Sequence, residues 1–461
     1  MASTDAAIAA NRFGYGARPG ELRALGDHAR DGLASQLTGG APVIQESLPA
    51  AKELLSRLAA QRDELRPKQG QQPDAIKVVK ALRDVYQPAY IADVLGRFRA
   101  AVTSQRSFVE RLVHFWSNHF AVSVDKQQVL GLAGPMEREA IRPHVLGNFA
   151  DMLLAVEQHP AMLIYLDNGQ SVGPDSQVAR LGARRGNAVG LNENLGREIL
   201  ELHTLGVDAG YTQADVRSLA TIITGWSIGS NEGGLLRKGG ETGAFFFREG
   251  THQPGAATLL GKRYAEGGVE QGVAALHDLA VNPHTARHIA TKLVRHFIAD
   301  DPPSAAVDVV TAAYLKSSGD LPSTYRALLA LPEAWKDPLP KFKTPVDYVY
   351  STWRALSLPV GVAQKDLQPF EALGQRSFQP GSPAGWADRS PDWDGSAAIM
   401  KRLEWSQGLG QRLGVRLNAQ NLGTEVLGET LSAGTSRAIS RAQDGAQALT
   451  LLLCSPEFMR R

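Results

Sequence analysis

One cysteine is all the chain has, and Cys454 alone can form neither an intrachain disulfide nor a cysteine-built zinc or iron–sulfur site. Net charge is nearly as scarce. With 49 basic and 47 acidic residues the balance is +2, so no electrostatic footprint for nucleic acid or an anionic membrane is present. No apolar run approaches the ~18 residues that a membrane span needs. The first ten residues carry no basic region and no long apolar stretch. No export signal is therefore expected, and the chain reads as cytoplasmic as written, or periplasmic if a leader was removed. Also missing are a phosphate loop ending in Gly-Lys-Ser/Thr, a dinucleotide fingerprint, a nucleophile elbow, His-Glu-x-x-His and the Glu-x-x-His spacing of di-iron bundles. Nucleotide-driven, acyl-enzyme and zinc-protease chemistry are left without support.

What the sequence has in abundance is helical periodicity. It recurs over 50–63, 105–120, 135–158, 192–205, 212–224, 268–280, 283–299, 304–317, 322–335, 344–356, 395–413 and 436–453. A further pattern runs from Asp74 to about Ser104, with Pro88 expected to break or kink it. Between 229 and 263 the character changes to Gly-Gly pairs and Phe245-Phe246-Phe247, which predicts a small β-hairpin insertion around 240–262. The polar, turn-rich 64–74 reads as a mobile loop and 374–394 as an irregular Gly/Pro/Trp loop. With no repeat and no linker, 1–461 is expected to be one large, mostly α domain, an irregular multi-helix array.

Residues 192–206 are the first candidate site. Asn192 can accept from the first free amides of a helix, and Gly206 can close it in a left-handed conformation. At 3.6 residues per turn Glu193, Asn194, Arg197, Glu198 and Glu201 share an arc of roughly 140°. Ordinary i,i+4 pairing accounts for Glu193, Arg197 and Glu201, whereas Glu198 has no cation at i±4. His203 falls on the apolar side. In 110–120, Glu110, His114 and Asn118 form a polar stripe suited to metal ligation or acid/base chemistry, or to a solvated helix face. His252 stands on a Gly/Pro loop with few packing reasons to be there. His284, His288, Lys292 and Arg295 share another face, where two cations disfavour a metal and suit an anion, a partner or plain solvation.

Several phrases occur together in one known family: Asn11 through Gly16, His114 through Phe120, Glu137 through Arg142, His159 through Leu163, Asn192-Glu193-Asn194 with Glu201 through Gly206, and Tyr211 through Val216. On these phrases the chain resembles, over nearly its whole length, the bacterial "domain of unknown function eighteen-hundred" family. The resemblance implies no activity. It implies genomic neighbours similar to sulfatases and alkaline phosphatases, and export of many members. At His252-Gln253 the chain departs from the family's usual His-Asp. If that aspartate is a catalytic acid or ligand, this chain lacks it.

The leading expectation is a metal-assisted enzyme, a hydrolase or oxidoreductase, with its site between helices 105–120 and 192–205 and the His252 loop. Glu198, His114, His252 and Arg197 are the catalytic candidates. Glu110, His114, Glu198, Glu201 and His203 are the candidate ligands of a divalent metal ion, which is the one cofactor suggested. The alternative is a non-catalytic partner or maturation factor for the sulfatase-like neighbour, its Glu/Arg/His faces forming structural ion-pair networks.

Overall fold

Helices begin where a side chain can satisfy their first amides. Thr212 and Asp215 form a reciprocal capping box at the head of Gln213–Ile222, and Asn282 caps α4 (Pro283–Phe297) with proline at its first position. The computed structural model describes residues 3–64, 75–184, 190–207, 209–230, 238–336 and 339–461. Beyond Glu64, the loop expected over 64–74 lies outside them. The fold is mostly helical, and none of the described helices is long and apolar enough to cross a membrane.

α1 (Ala75–Thr103) runs through Pro88 without the expected break. Proline removes one amide donor, and Tyr86 and Ala89 beside it are buried in the core, so packing holds the helix together. α2 (Ser107–His119) is central: every residue from Ser107 to Trp116 is buried. Its Glu110 and His114 are therefore buried instead of forming a solvated face. The helix expected over 135–158 is divided into Ala133–Met136, a π turn at Glu137–Ile141, a 3₁₀ turn at Arg142–His144 and Phe149–Glu157. Pro143 sits in the 3₁₀ turn where the chain bends.

α3 (Asn194–Glu198) continues as a second π turn, Ile199–His203. Asn192 accepts from the Asn194 amide at 2.9 Å, and Gly206 has φ +91°. The β structure forms two small antiparallel sheets. β1 (Trp226–Ile228) pairs with β2 (Phe245–Phe247), Trp226 opposite Phe247. β3 (Ala257–Leu259) pairs with β4 (Lys262–Tyr264). The hairpin is thus β3–β4, turning at Leu260-Gly261 with φ +50° and +77°, the signature of a type I′ turn. The three phenylalanines belong to the other sheet, whose first strand precedes 229.

α4 packs against Ser304–Lys316, which packs against Leu321–Ala330, while α5 (Pro345–Ala355) lies on α1. Toward the C-terminus the 436–453 pattern is split in two, Ala433–Ser440 and Gly445–Leu453, because Asp444 caps a new helix. Ala419–Leu427 and Gln177–Arg184 are helices that periodicity did not single out.

Candidate functional site

A cavity of about 860 Å³ opens between α2, the segment after the second π turn, α4, the head of α5 and the 374–394 segment. That last segment is irregular in backbone but firmly held. Asn118 Nδ2 donates to the Trp386 carbonyl at 2.9 Å, and its Oδ1 accepts from the Trp386 amide at 2.7 Å. Gly385 has φ +85°, and a Cβ there would lie 2.4 Å from the Asn118 carbonyl oxygen, so only glycine fits.

This clamp carries Asp388 over α4. His296 Nδ1 donates to Asp388 Oδ2 at 3.0 Å, and Arg461 approaches Oδ1 at 3.1 Å. Lys341 donates to the Asp388 carbonyl at 2.6 Å. Burial pushes the Asp388 carboxyl up, but His296, Lys341 and Arg461 outweigh it and hold the group far below the usual carboxylate range. Asp347, in α5, is the second buried acid. Burial again raises it, while Arg111 at 3.1 Å and Arg461 at 2.7 Å bring it to about 2.

Three imidazoles that line this space each carry a buried nitrogen with no protein partner. His296 is held neutral because burial lowers it to about 4 against the pull of Asp388, so its Nε2 keeps a lone pair. His119 Nε2 donates to the His203 carbonyl at 3.1 Å, which leaves Nδ1 as the acceptor. His114 Nδ1 lies 2.5 Å from the Tyr15 hydroxyl, and its Nε2 has no partner. Burial drives both His114 and His119 well below their ordinary value.

Charge on the walls is lopsided, with seven Arg and Lys side chains against Asp347, Asp388 and Asp392. Five of the cations are already engaged: Arg97 with Glu137, Arg111 with Asp347, Arg287 with Asp308, Arg376 with Glu371 and Arg389 with Asp301. Lys292 and Arg295 have no hydrogen-bond or ion-pair partner among the described residues, and Arg295 Nε is buried. An anion entering this cavity meets two uncommitted cations and three prepositioned imidazoles.

The sequence candidates are dispersed. His114 lines the cavity; Glu110, Arg197, Glu198, Glu201, His203 and His252 do not. Both Glu110 oxygens accept from Arg142, at 2.9 and 3.1 Å, inside a buried cluster with Glu137, Arg97 and Ser117. His203 Nδ1 and Glu157 Oε1 lie 2.7 Å apart, both fully buried. Arg197 sits between Glu193 at 3.2 Å and Glu201 at 3.6 Å. Glu198 is half-buried and unpaired among the described residues, its carboxyl raised by burial, and its charged neighbours are His203, Glu201 and Arg197. His252 donates from Nδ1 to the Thr224 carbonyl at 2.8 Å beside a separate hollow lined by Asp175, Arg180 and Glu249. The five expected metal ligands thus do not fit one centre. Among the described residues no three His, Cys, Asp or Glu side chains are grouped to hold a metal ion.

Asp347, Asp388 and Arg461 escaped sequence reasoning, as did His296. The signal that reached this place is the His284/His288/Lys292/Arg295 stripe, whose four members all line the cavity. His296 is the next residue and the i+4 neighbour of Lys292.

A family model described as "Protein of unknown function (DUF1800)" matches residues 8–460. Comparison with curated proteins and with solved structures found no match.

Proposed function

The chain belongs to the DUF1800 family, and from that premise we propose that it binds a small organic anion in the 860 Å³ cavity and moves protons on it. Lys292 and Arg295 hold the negative charge, and His296, aimed by Asp388, accepts a proton through Nε2. The carrying observation is that these two cations have no partner among the described residues, while both buried acids are already neutralised by arginines. A cation left unpaired in a partly dry wall costs free energy, and a ligand that supplies the missing charge recovers it. Imidazole can take the second role because, held neutral, it keeps a lone pair that accepts a proton, and a carboxylate on Nδ1 leaves Nε2 as the accepting nitrogen.

Calorimetric titration with citrate, succinate, inorganic phosphate and sulfate tests this reading. Saturable binding weakened about tenfold or more in Lys292→Met and Arg295→Met, and far less in the salt-bridged Arg287→Met, is the expected result. Absence of binding by every anion, or equal loss in all three variants, rejects it.

A second reading draws on the buried Glu110–Arg142–Glu137–Arg97 cluster, which is structural in kind. It makes the chain a non-catalytic partner of a sulfatase-like protein, and co-purification of the two, with no anion binding, favours it.

A further inference from the structure

We infer that Lys292 is a carbonyl-condensing amine, forming a Schiff base with a small 2-oxo acid whose carboxylate rests on Arg295. The inference rests on the reading of the cavity as an anion site.

Position comes first. Lys292, Arg295 and His296 stand at i, i+3 and i+4 on α4, so an amine, a guanidinium and an imidazole share one face of one helix and all line the cavity. Lys341, which lies against the same segment, is held by a carboxylate, Asp300 at 2.7 Å, and buried Lys343 is held by Asn11 at 3.3 Å. Lys292 has no such partner among the described residues. The charged and titratable groups around it are His288 and Arg295 from its own helix, His119 from α2 and Asp388 from the 374–394 segment. Asp388 is the one acid of that set, and it is committed to His296 and Arg461.

Chemistry follows from those surroundings. Burial, aided by the neighbouring Arg295 and opposed by Asp388, lowers the Lys292 ammonium to about 8. A lysine beside a second cation in a partly desolvated pocket is an activated nucleophile. Compared with an ordinary lysine, roughly two orders of magnitude more of it is free base at neutral pH. Lys343 is lowered further, to about 7, but is fully buried, contacts Asn11 and does not line the cavity. Reactivity and access coincide at Lys292.

In the step itself the ammonium passes a proton to His296 Nε2, and the Nζ lone pair adds to the carbonyl carbon as the C–O π pair moves to oxygen. The alkoxide oxygen takes up one of the two Nζ protons to give a neutral carbinolamine. His296 then returns its proton to that hydroxyl, which leaves as water while the Nζ lone pair forms C=N. One ammonium and one carbonyl become one iminium and one water, with charge conserved. No external oxidant or reductant is involved. The iminium then draws electrons from the adjacent carbon and makes its proton more acidic.

Reductive trapping decides the matter. The intact chain is incubated with pyruvate and sodium cyanoborohydride, and adducts are mapped by peptide mass spectrometry. Lys292 is expected to be modified at least about tenfold faster than exposed Lys52 or Lys80, with a rate that rises to half its plateau near pH 8. Lactate, which carries the same carboxylate without a carbonyl, should slow trapping at Lys292 and form no adduct itself. Lys292→Arg should abolish that adduct and leave the surface background. Saturable binding of lactate with no preferential adduct at Lys292 overturns the Schiff base and leaves the anion site standing. Failure of lactate to bind or protect overturns both, and preferential modification of Lys343 overturns the assignment to Lys292.

Discussion

Asp388 and His296 are joined by a 3.0 Å hydrogen bond across 92 residues of sequence, and the second nitrogen of this cavity-lining imidazole is buried without a protein partner. The bond fixes tautomer as well as orientation. Nitrogen-15 NMR should find His296 neutral, protonated on Nδ1, from pH 7 to about 5, since burial lowers it to about 4. An imidazolium at pH 6, or a proton on Nε2, contradicts the assignment.

The buried ion cluster and the exposed helix pairs should differ sharply in energetic weight. Glu137→Ala leaves Arg97 and Arg142 short of a counter-charge in the interior and is expected to cost about 3–5 kcal/mol in urea unfolding. Arg197→Ala removes two part-exposed pairs and should cost no more than about 1 kcal/mol. Equal effects would mean that the cluster is not desolvated as its burial indicates.

Asn118→Ala deletes both hydrogen bonds that hold Trp386, a loss of about 1–3 kcal/mol. Amide hydrogen exchange should speed up across 384–389 and along α4 near His296, with little change in the distant β3–β4 hairpin. Uniform acceleration everywhere would mean that the clamp is not local.

Stability should fall as pH drops below about 6.5. His114, His119, His288 and His296 are all shifted down by burial, the last two to about 4. Between 6.5 and 4 these four histidines bind more protons in the unfolded chain than in the folded one and give the unfolding free energy a positive slope with pH. That slope outweighs the opposite one from Asp93, raised by burial to about 6, and from Glu110 and Glu198. Asp347 and Asp388, held below their ordinary values, add a loss of the same sign that begins below about 4. Thermal melts from pH 7.5 to 4.5 check the sign; a flat profile from 6.5 to 5 refutes it.

Helix starts were legible because capping is local: Thr212 with Asp215, and Asn282 with Pro283, need only neighbouring residues. The π turns at Glu137–Ile141 and Ile199–His203 were not, since a wheel drawn at 3.6 residues per turn has no place for the wider turn. That is why the 192–206 arc stops being a guide after Glu198. His203 was legible as an apolar-side residue, but its partner Glu157 is 46 positions away. At the cavity, the α4 stripe could be drawn from spacing alone. What turns the stripe into a site is Asp388, supplied by a segment whose composition reads only as an irregular loop.

Arg461 places one guanidinium between Asp347 and Asp388, at 2.7 and 3.1 Å. The two acids are therefore not independent ligands of the wall: each sets how much of that guanidinium's field remains for the other. Protonating or replacing Asp347 strengthens the hold of Arg461 on Asp388, and through Asp388 alters the basicity of His296, although Asp347 does not touch that imidazole. A double-mutant cycle across Asp347 and Asp388 should give a non-zero coupling energy that vanishes when Arg461 is replaced.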